Sequence, residues 1–136
     1  MVDTIHLDIL TPEKVVFSDS LEMVTAPGSL GEFGVLPGHA AFITTLDIGE
    51  VSLKKENRED HVAISGGFAE VVNDKVTILA EAAELAQEID IKRAETAKIQ
   101  AEEKLKSLSS DDSQFSEVGL ALKRATNRIK VSARKT

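Results

Sequence analysis

Two hydrophobic periods divide this chain, and they change over near residue 82. Thr4–Leu10 alternates apolar and polar positions around Ile5, Leu7 and Ile9, the period-two pattern of a half-buried strand. Thr11-Pro12 ends it, because proline offers no N–H to a ladder. Lys14–Phe17, Leu21–Thr25, Ala41–Leu46, Glu50–Leu53 and His61–Ser65 are further short strand candidates, β-branched and apolar. Ala26-Pro27-Gly28-Ser29 and Leu36-Pro37-Gly38 read as turns. Gly66-Gly67 marks a bulge or a sharp corner. Phe68–Val72 and Lys75–Ala80 flank Asn73-Asp74 as a hairpin, since both turn residues tolerate positive φ. Short strands this closely spaced predict a sandwich or a barrel.

From Glu81 onward proline vanishes, glycine occurs once, at Gly119, and Ala, Glu, Lys and Leu dominate, which is helix chemistry. Asp90 suits an N-cap. Ile91, Ala94, Ala97, Ala101, Leu105 and Leu108 recur at steps of three and four, and so do Phe115, Val118, Leu122, Ala125 and Ile129. The polar stretch Ser107–Ser113 between the two stripes predicts a loop, and hence an antiparallel helical hairpin. The chain thus reads as a mainly β domain over residues 1–86 and a helical hairpin over 87–136. The hairpin's stripes are thin and alanine-rich, so its packing is worth a few kcal/mol at most, on the order of the burial of a few side chains. A hairpin held that weakly can leave its seat and act as a switch; permanent docking is the alternative.

Charge sharpens the division. Residues 1–88 carry −11, residues 89–122 carry −2, and residues 123–136 carry +6, with six basic residues and no acidic one. The acidic front repels nucleic acid. The basic tail suits nucleic acid, acidic lipid or an acidic protein surface, or is simply a solvated end; no aromatic lies beyond Phe115 to stack bases. There is no cysteine, which excludes disulfides, thiolate metal sites and cysteine nucleophiles. No apolar run approaches bilayer-spanning length and the N-terminus lacks signal-peptide features, so the chain reads as soluble and cytoplasmic, without direct membrane insertion.

Catalytic chemistry finds no constellation. His6, His39 and His61 fall in no metal-ligand spacing. The glycine-rich run Gly28–Gly34 is followed neither by Lys-Ser/Thr nor by a helix, so it reads as tight backbone packing rather than a phosphate loop. No serine sits in an elbow motif. The chain therefore reads as non-catalytic, with no cofactor required.

Residues 26–40, Ala-Pro-Gly-Ser-Leu-Gly-Glu-Phe-Gly-Val-Leu-Pro-Gly-His-Ala, resemble the signature of bacterial F-type ATP synthase epsilon subunits. Thr11-Pro12-Glu13, residues 65–71 (Ser-Gly-Gly-Phe-Ala-Glu-Val), residues 76–81 (Val-Thr-Ile-Leu-Ala-Glu) and residues 122–129 (Leu-Lys-Arg-Ala-Thr-Asn-Arg-Ile) extend the likeness, in order, over nearly the whole chain. The resemblance implies a ten-stranded β-sandwich followed by the two-helix hairpin. It implies a non-catalytic rotor subunit on the cytoplasmic face of the inner membrane, with the sandwich bound to the gamma subunit and resting on the c-subunit ring. Glu32 and His39 would face that ring. The hairpin would fold down, or extend to the alpha and beta subunits of the catalytic head and oppose ATP hydrolysis. Lys123, Arg124, Arg128, Lys130, Arg134 and Lys135 would then meet acidic segments of the head.

Ile89-Asp90-Ile91-Lys92-Arg93-Ala94 matches the I/L-D-x-x-R-A motif of epsilon subunits that bind ATP as a regulatory ligand. By resemblance the ATP-binding set is Glu84, Ile89, Asp90, Arg93, Ala94, Arg124 and Arg128. Guanidinium groups suit phosphate oxygens, and Arg124 and Arg128 stand one helical turn apart. Gln100 departs from the family pattern, where many ATP-binding members carry another arginine. The competing readings are a free-standing nucleotide-binding β-sandwich protein and an enzyme built on a sandwich; co-purification with gamma, or activity without partners, would separate them.

Overall fold

The computed structural model describes residues 3–134. The chain forms two compact units that divide between Leu85 and Ala86. The first is built from β1 (Ile5–Leu10), β2 (Val15–Leu21), β3 (Met23–Gly28), β4 (Gly31–Val35), β5 (Phe42–Lys55), β6 (Arg58–Val72), β7 (Lys75–Ala80) and β8 (Ala83–Leu85). Their order is β2-β1-β7-β6-β5-β3-β4, with β8 paired to β6. Neighbours are antiparallel except β1 and β7, which run parallel.

Eight strands stand where ten were expected, because β5 and β6 each run through two of the segments that the sequence separates. Their register is unbroken from Phe42 opposite Val71 to Lys55 opposite Arg58. The inward set nevertheless changes parity along both. On β5, Leu46 is buried in the first half and Val51 and Leu53 in the second; on β6, Val62 and Ile64 give way to Ala69 and Val71. A flat strand keeps one parity. Gly66 and Gly67, at φ of 83° and 134°, supply the turn that lets one strand serve both layers. The two halves, with Ile5, Leu7 and Ile9 of β1 and Val76 and Ile78 of β7, enclose a single apolar core.

The run Ala26–Gly28 is strand rather than turn, and only Ser29-Leu30 turns. Proline is tolerated there because the β3–β5 ladder breaks between Thr25 and Gly28. Its ring instead sits over Gly49, where a Cβ would come within 2.7 Å of the proline Cβ. Gly31–Val35, glycine-rich and read as packing, pairs with β3 as an edge strand. Ala83–Leu85, composed like a helix, pairs with Val62–Ile64 of β6; ladder hydrogen bonds decide where propensity is a weak guide.

The second unit opens with a 3-10 turn, Ala86–Glu88, followed by α1 (Ile91–Ser107) and α2 (Phe115–Ser132). Asp90 is the N-cap of α1, its carboxylate accepting from the Arg93 N–H at 3.1 Å. Asp112 organises the loop, its Oδ1 accepting from Gln114 N–H and its carbonyl from Phe115 N–H. Ala94 and Ala101 of α1 and Val118 and Ala125 of α2 are buried, in keeping with the two stripes, whereas Ile91 stays 40% exposed.

Candidate functional surfaces

Glu32 lies exposed on β4, two residues past Leu30, which is 99% exposed at the β3–β4 turn. His39 belongs to the β4–β5 connection. The two segments share one support. The Phe33 ring meets Phe42 edge-on at 5.0 Å, and the His39 ring lies 5.1 Å from the same Phe42. Gly38 donates its N–H to Asp74 Oδ1 at 2.7 Å, which ties the connection to the β6–β7 turn.

An apolar patch that the sequence reading missed lies on the outer face of β5, β6 and β7. Phe68 stands opposite Thr45 on one side and Leu79 on the other. Ile43, two residues before Thr45, points the same way. Ile43, Phe68 and Leu79 are 68%, 53% and 52% exposed. Their strand neighbours Ala69 and Ile78 are fully buried in the core, so the outward residues are not needed to fill it.

Ser18, His6 and Asp8 bring together the residue types of a nucleophile triad on β1 and β2. The geometry does not activate the serine. Ser18 Oγ donates to Asp8 Oδ1 at 2.6 Å, and His6 Nε2 contacts the same oxygen at 2.9 Å. The hydroxyl proton is committed to the carboxylate, not to the imidazole. The Ser18 hydrogen bond, reinforced by His6 and the Lys75 charge against some desolvation, holds the Asp8 carboxyl below the usual aspartate range. A depressed folded-state pKa stabilises above the unfolded value and is lost as pH falls through the folded one. Asp8→Asn should therefore lower stability at neutral pH and flatten the acid limb below about pH 4. Urea midpoints of both proteins between neutral and acid pH check this; parallel curves would remove Asp8 from the account.

In the helical unit, Asp90, Arg93 and Ala94 cluster at the first turn of α1, and Arg124 and Arg128 lie in the second half of α2. A cavity of about 470 Å³ opens between the helices. Ala97, Gln100, Ala101 and Lys104 line it from α1; Glu117, Val118, Ala121 and Arg124 line it from α2, with Gln114 just before. With the helices antiparallel, Ala97 falls level with Arg124 and Lys104 with Glu117. One turn further toward the start of α1, Arg93 falls level with Arg128. The unit thus gathers Arg93, Arg124 and Arg128 toward one end of the hairpin, with Gln100 opening on the same cavity as Arg124. Ile89 is buried just ahead of Asp90. Glu84 lies in the first unit, on β8 opposite Ala63. Of the basic tail, Lys123, Lys130 and Arg134 are exposed and Arg124 and Arg128 half-buried; Lys135 lies outside the described residues. No group of side chains suited to a metal ion occurs among the described residues, and no helix there is long and apolar enough to cross a membrane.

A β unit closed around one core, followed by a two-helix unit with an Asp-capped first turn, is the architecture of a known two-domain class of proteins. Residues 4–86 match the family model of the ATP synthase delta/epsilon chain β-sandwich domain, and residues 87–133 match that of its long α-helix domain. The chain belongs to the ATP synthase delta/epsilon chain family. It is 48% identical over 134 residues to the ATP synthase epsilon chain of Geotalea uraniireducens, covering 98% of this chain and 97% of that one. It is 44% identical over 131 residues to the epsilon chain of Halalkalibacterium halodurans, covering 96% and 98%. Among solved structures it is similar to a chain of the Euglena gracilis mitochondrial ATP synthase OSCP/F1/c-ring assembly. The TM-score there is 0.78 at 27% identity, over 91% of this chain and 78% of that one. A chain of the Tetrahymena thermophila mitochondrial central stalk and c-ring shares the fold, with a TM-score of 0.65 at 14% identity, over 93% and 95%.

Proposed function

We propose that this chain is a non-catalytic central-stalk subunit of an F-type ATP synthase, peripheral on the cytoplasmic face of the membrane. The observation that carries the proposal is the outer face of β5–β7. Ile43, Phe68 and Leu79 form an apolar surface that the fold does not need and that a partner subunit would cover. In this reading the sandwich docks there on the gamma subunit, and the supported Glu32 and His39 segments face the c-subunit ring. The basic second helix, extended, contacts the alpha and beta subunits and inhibits ATP hydrolysis. ATP is the regulatory ligand of the hairpin, held by Asp90, Arg93, Arg124 and Arg128, with Ile89 and Ala94 beside the base.

Phe68→Glu tests the docking face. Burying a phenyl ring is worth roughly 1.5–3 kcal/mol, and burying an unpaired carboxylate reverses the sign. Affinity for purified gamma subunit should fall at least about tenfold, with the circular dichroism unchanged because the side chain is outside the core. Leu120→Glu, at a 49% exposed position on α2, should bind like the wild type. Equal binding by Phe68→Glu would move the docking surface elsewhere.

A further inference from the structure

Asp74 holds two segments of the β unit at once. Its carbonyl accepts the His6 N–H of β1 at 2.9 Å. Its carboxylate Oδ1 accepts the Gly38 N–H of the β4–β5 connection at 2.7 Å, the short length of a charge-assisted bond. The residue stands in the turn between β6 and β7, where Asn73 and Asp74 have φ of 48° and 62°, the left-handed pair that a two-residue hairpin favours. Val72 opposite Lys75 closes that hairpin, so the carboxylate is fixed on a paired ladder.

Gly38 depends on an outside acceptor. Leu36-Pro37-Gly38-His39 closes as a β-turn, with the His39 N–H donated to the Leu36 carbonyl at 3.1 Å. Gly38, at φ 85°, supplies the positive φ of the type II form. Such a turn uses the N–H of its fourth residue and leaves that of its third unpaired. The turn also sets the His39 ring. Its Nδ1–H donates to the Ala40 carbonyl at 2.7 Å, and the ring lies 5.1 Å from Phe42. A carbonyl only accepts, so the neutral ring carries its proton on Nδ1 and keeps Nε2 as an acceptor.

We infer that Asp74 is a positioning residue of the ring-facing contact: its carboxylate holds the Leu36–His39 turn against the β6–β7 turn and so fixes where His39 meets the c-subunit ring. The inference rests on the proposed placement of His39 at the ring. It adds a residue that lies outside every segment carrying the family likeness.

Two substitutions separate the acceptor from the backbone. Asp74→Gly keeps the positive φ and removes the acceptor; Asp74→Asn keeps both. In the full chain, exchange of the Gly38 amide, read by NMR, should quicken about two- to tenfold in Asp74→Gly, the scale of one hydrogen bond, and stay near wild type in Asp74→Asn. In the assembled enzyme, Leu36→Cys, at a 54% exposed position of the same turn, would carry a photo-activated cross-linker. Its yield with c subunits should fall severalfold when Asp74→Gly is added and recover with Asp74→Asn. Gamma affinity and circular dichroism should not move. Unchanged Gly38 exchange or unchanged cross-linking in Asp74→Gly overturns the inference and leaves the placement standing. So does failure of Asp74→Asn to rescue, since its amide oxygen replaces the carboxylate as acceptor. A matching loss of gamma affinity would make Asp74 a residue of the fold instead. If Leu36→Cys alone cross-links only to other subunits, the placement is wrong and the inference falls with it.

Discussion

Gly67→Ala should destabilise the β unit by about 3 kcal/mol or more, whereas Gly119→Ala should stabilise α2 by up to about 1 kcal/mol. Gly67 stands where β6 passes from one layer to the other, opposite Ala80 of β7 and Leu46 of β5. Its φ of 134° is one that side-chain-bearing residues rarely adopt. A methyl group there would fall on the Leu79 carbonyl and come within 2.9 Å of the Ala80 Cα. Both neighbours are backbone in a paired strand, so relief means breaking the β6–β7 ladder. Total stabilities of roughly 5–15 kcal/mol make such a loss large. Gly119 meets nothing within 4 Å, and its substitution only removes backbone entropy from the unfolded chain. Urea midpoints followed by circular dichroism at strand and helix wavelengths would read the two effects separately. A Gly67→Ala protein as stable as the wild type would mean that the layer crossing does not depend on this glycine.

The same glycine pair marks where the sequence was legible and where it was not. Alternation located β1, because Ile5, Leu7 and Ile9 keep one parity throughout, and the Asn73-Asp74 turn located β7. It split β5 and β6 in two, because a parity change looks like an interruption when pairing cannot be seen. Ala83–Leu85 was hidden for a different reason: three residues carry no period, and Ala-Glu-Leu is good helix composition, so only the β6 ladder makes it a strand. The hairpin was read nearly whole, since stripes of three and four residues, an aspartate at the cap and a Ser/Asp loop all agree. The outward apolar patch was not. In Gly-Gly-Phe-Ala-Glu-Val and Val-Thr-Ile-Leu-Ala, apolar residues occupy both parities, and nothing in the string says that Phe68 and Leu79 face out while Ala69 and Ile78 face in. The arginine set came from family likeness rather than from spacing. The cavity that Arg124 shares with Lys104 needs two helices in register, which no single stripe encodes.

Neutralising the basic second helix should release ATP hydrolysis in the assembled enzyme and, at the same time, abolish its response to regulatory ATP. The expectation follows from the proposed function. Arg124 and Arg128 would serve phosphate when the hairpin is folded and acidic protein segments when it is extended, and they cannot serve both at once. ATP then favours the folded form by mass action, by RT ln(1 + [ATP]/Kd), about 1.4 kcal/mol at ten times Kd. That shifts a two-state hairpin roughly tenfold. Exposed charge pairs are screened by salt, so inhibition held by Lys123, Arg124, Arg128, Lys130 and Arg134 should also weaken as ionic strength rises. Replacing these five by alanine should raise hydrolysis severalfold, remove its salt dependence and leave assembly intact, because the docking face lies in the other unit. Gln100→Arg should act through the opposite arm: it adds a phosphate-directed charge, tightens ATP and relieves inhibition at lower ATP, with the inhibitory contacts untouched. Hydrolysis rates of the reconstituted enzyme across salt and ATP would distinguish the two. If the five-alanine variant inhibits like the wild type, apolar contacts of the helices hold the extended form, and the arginines belong to the nucleotide alone.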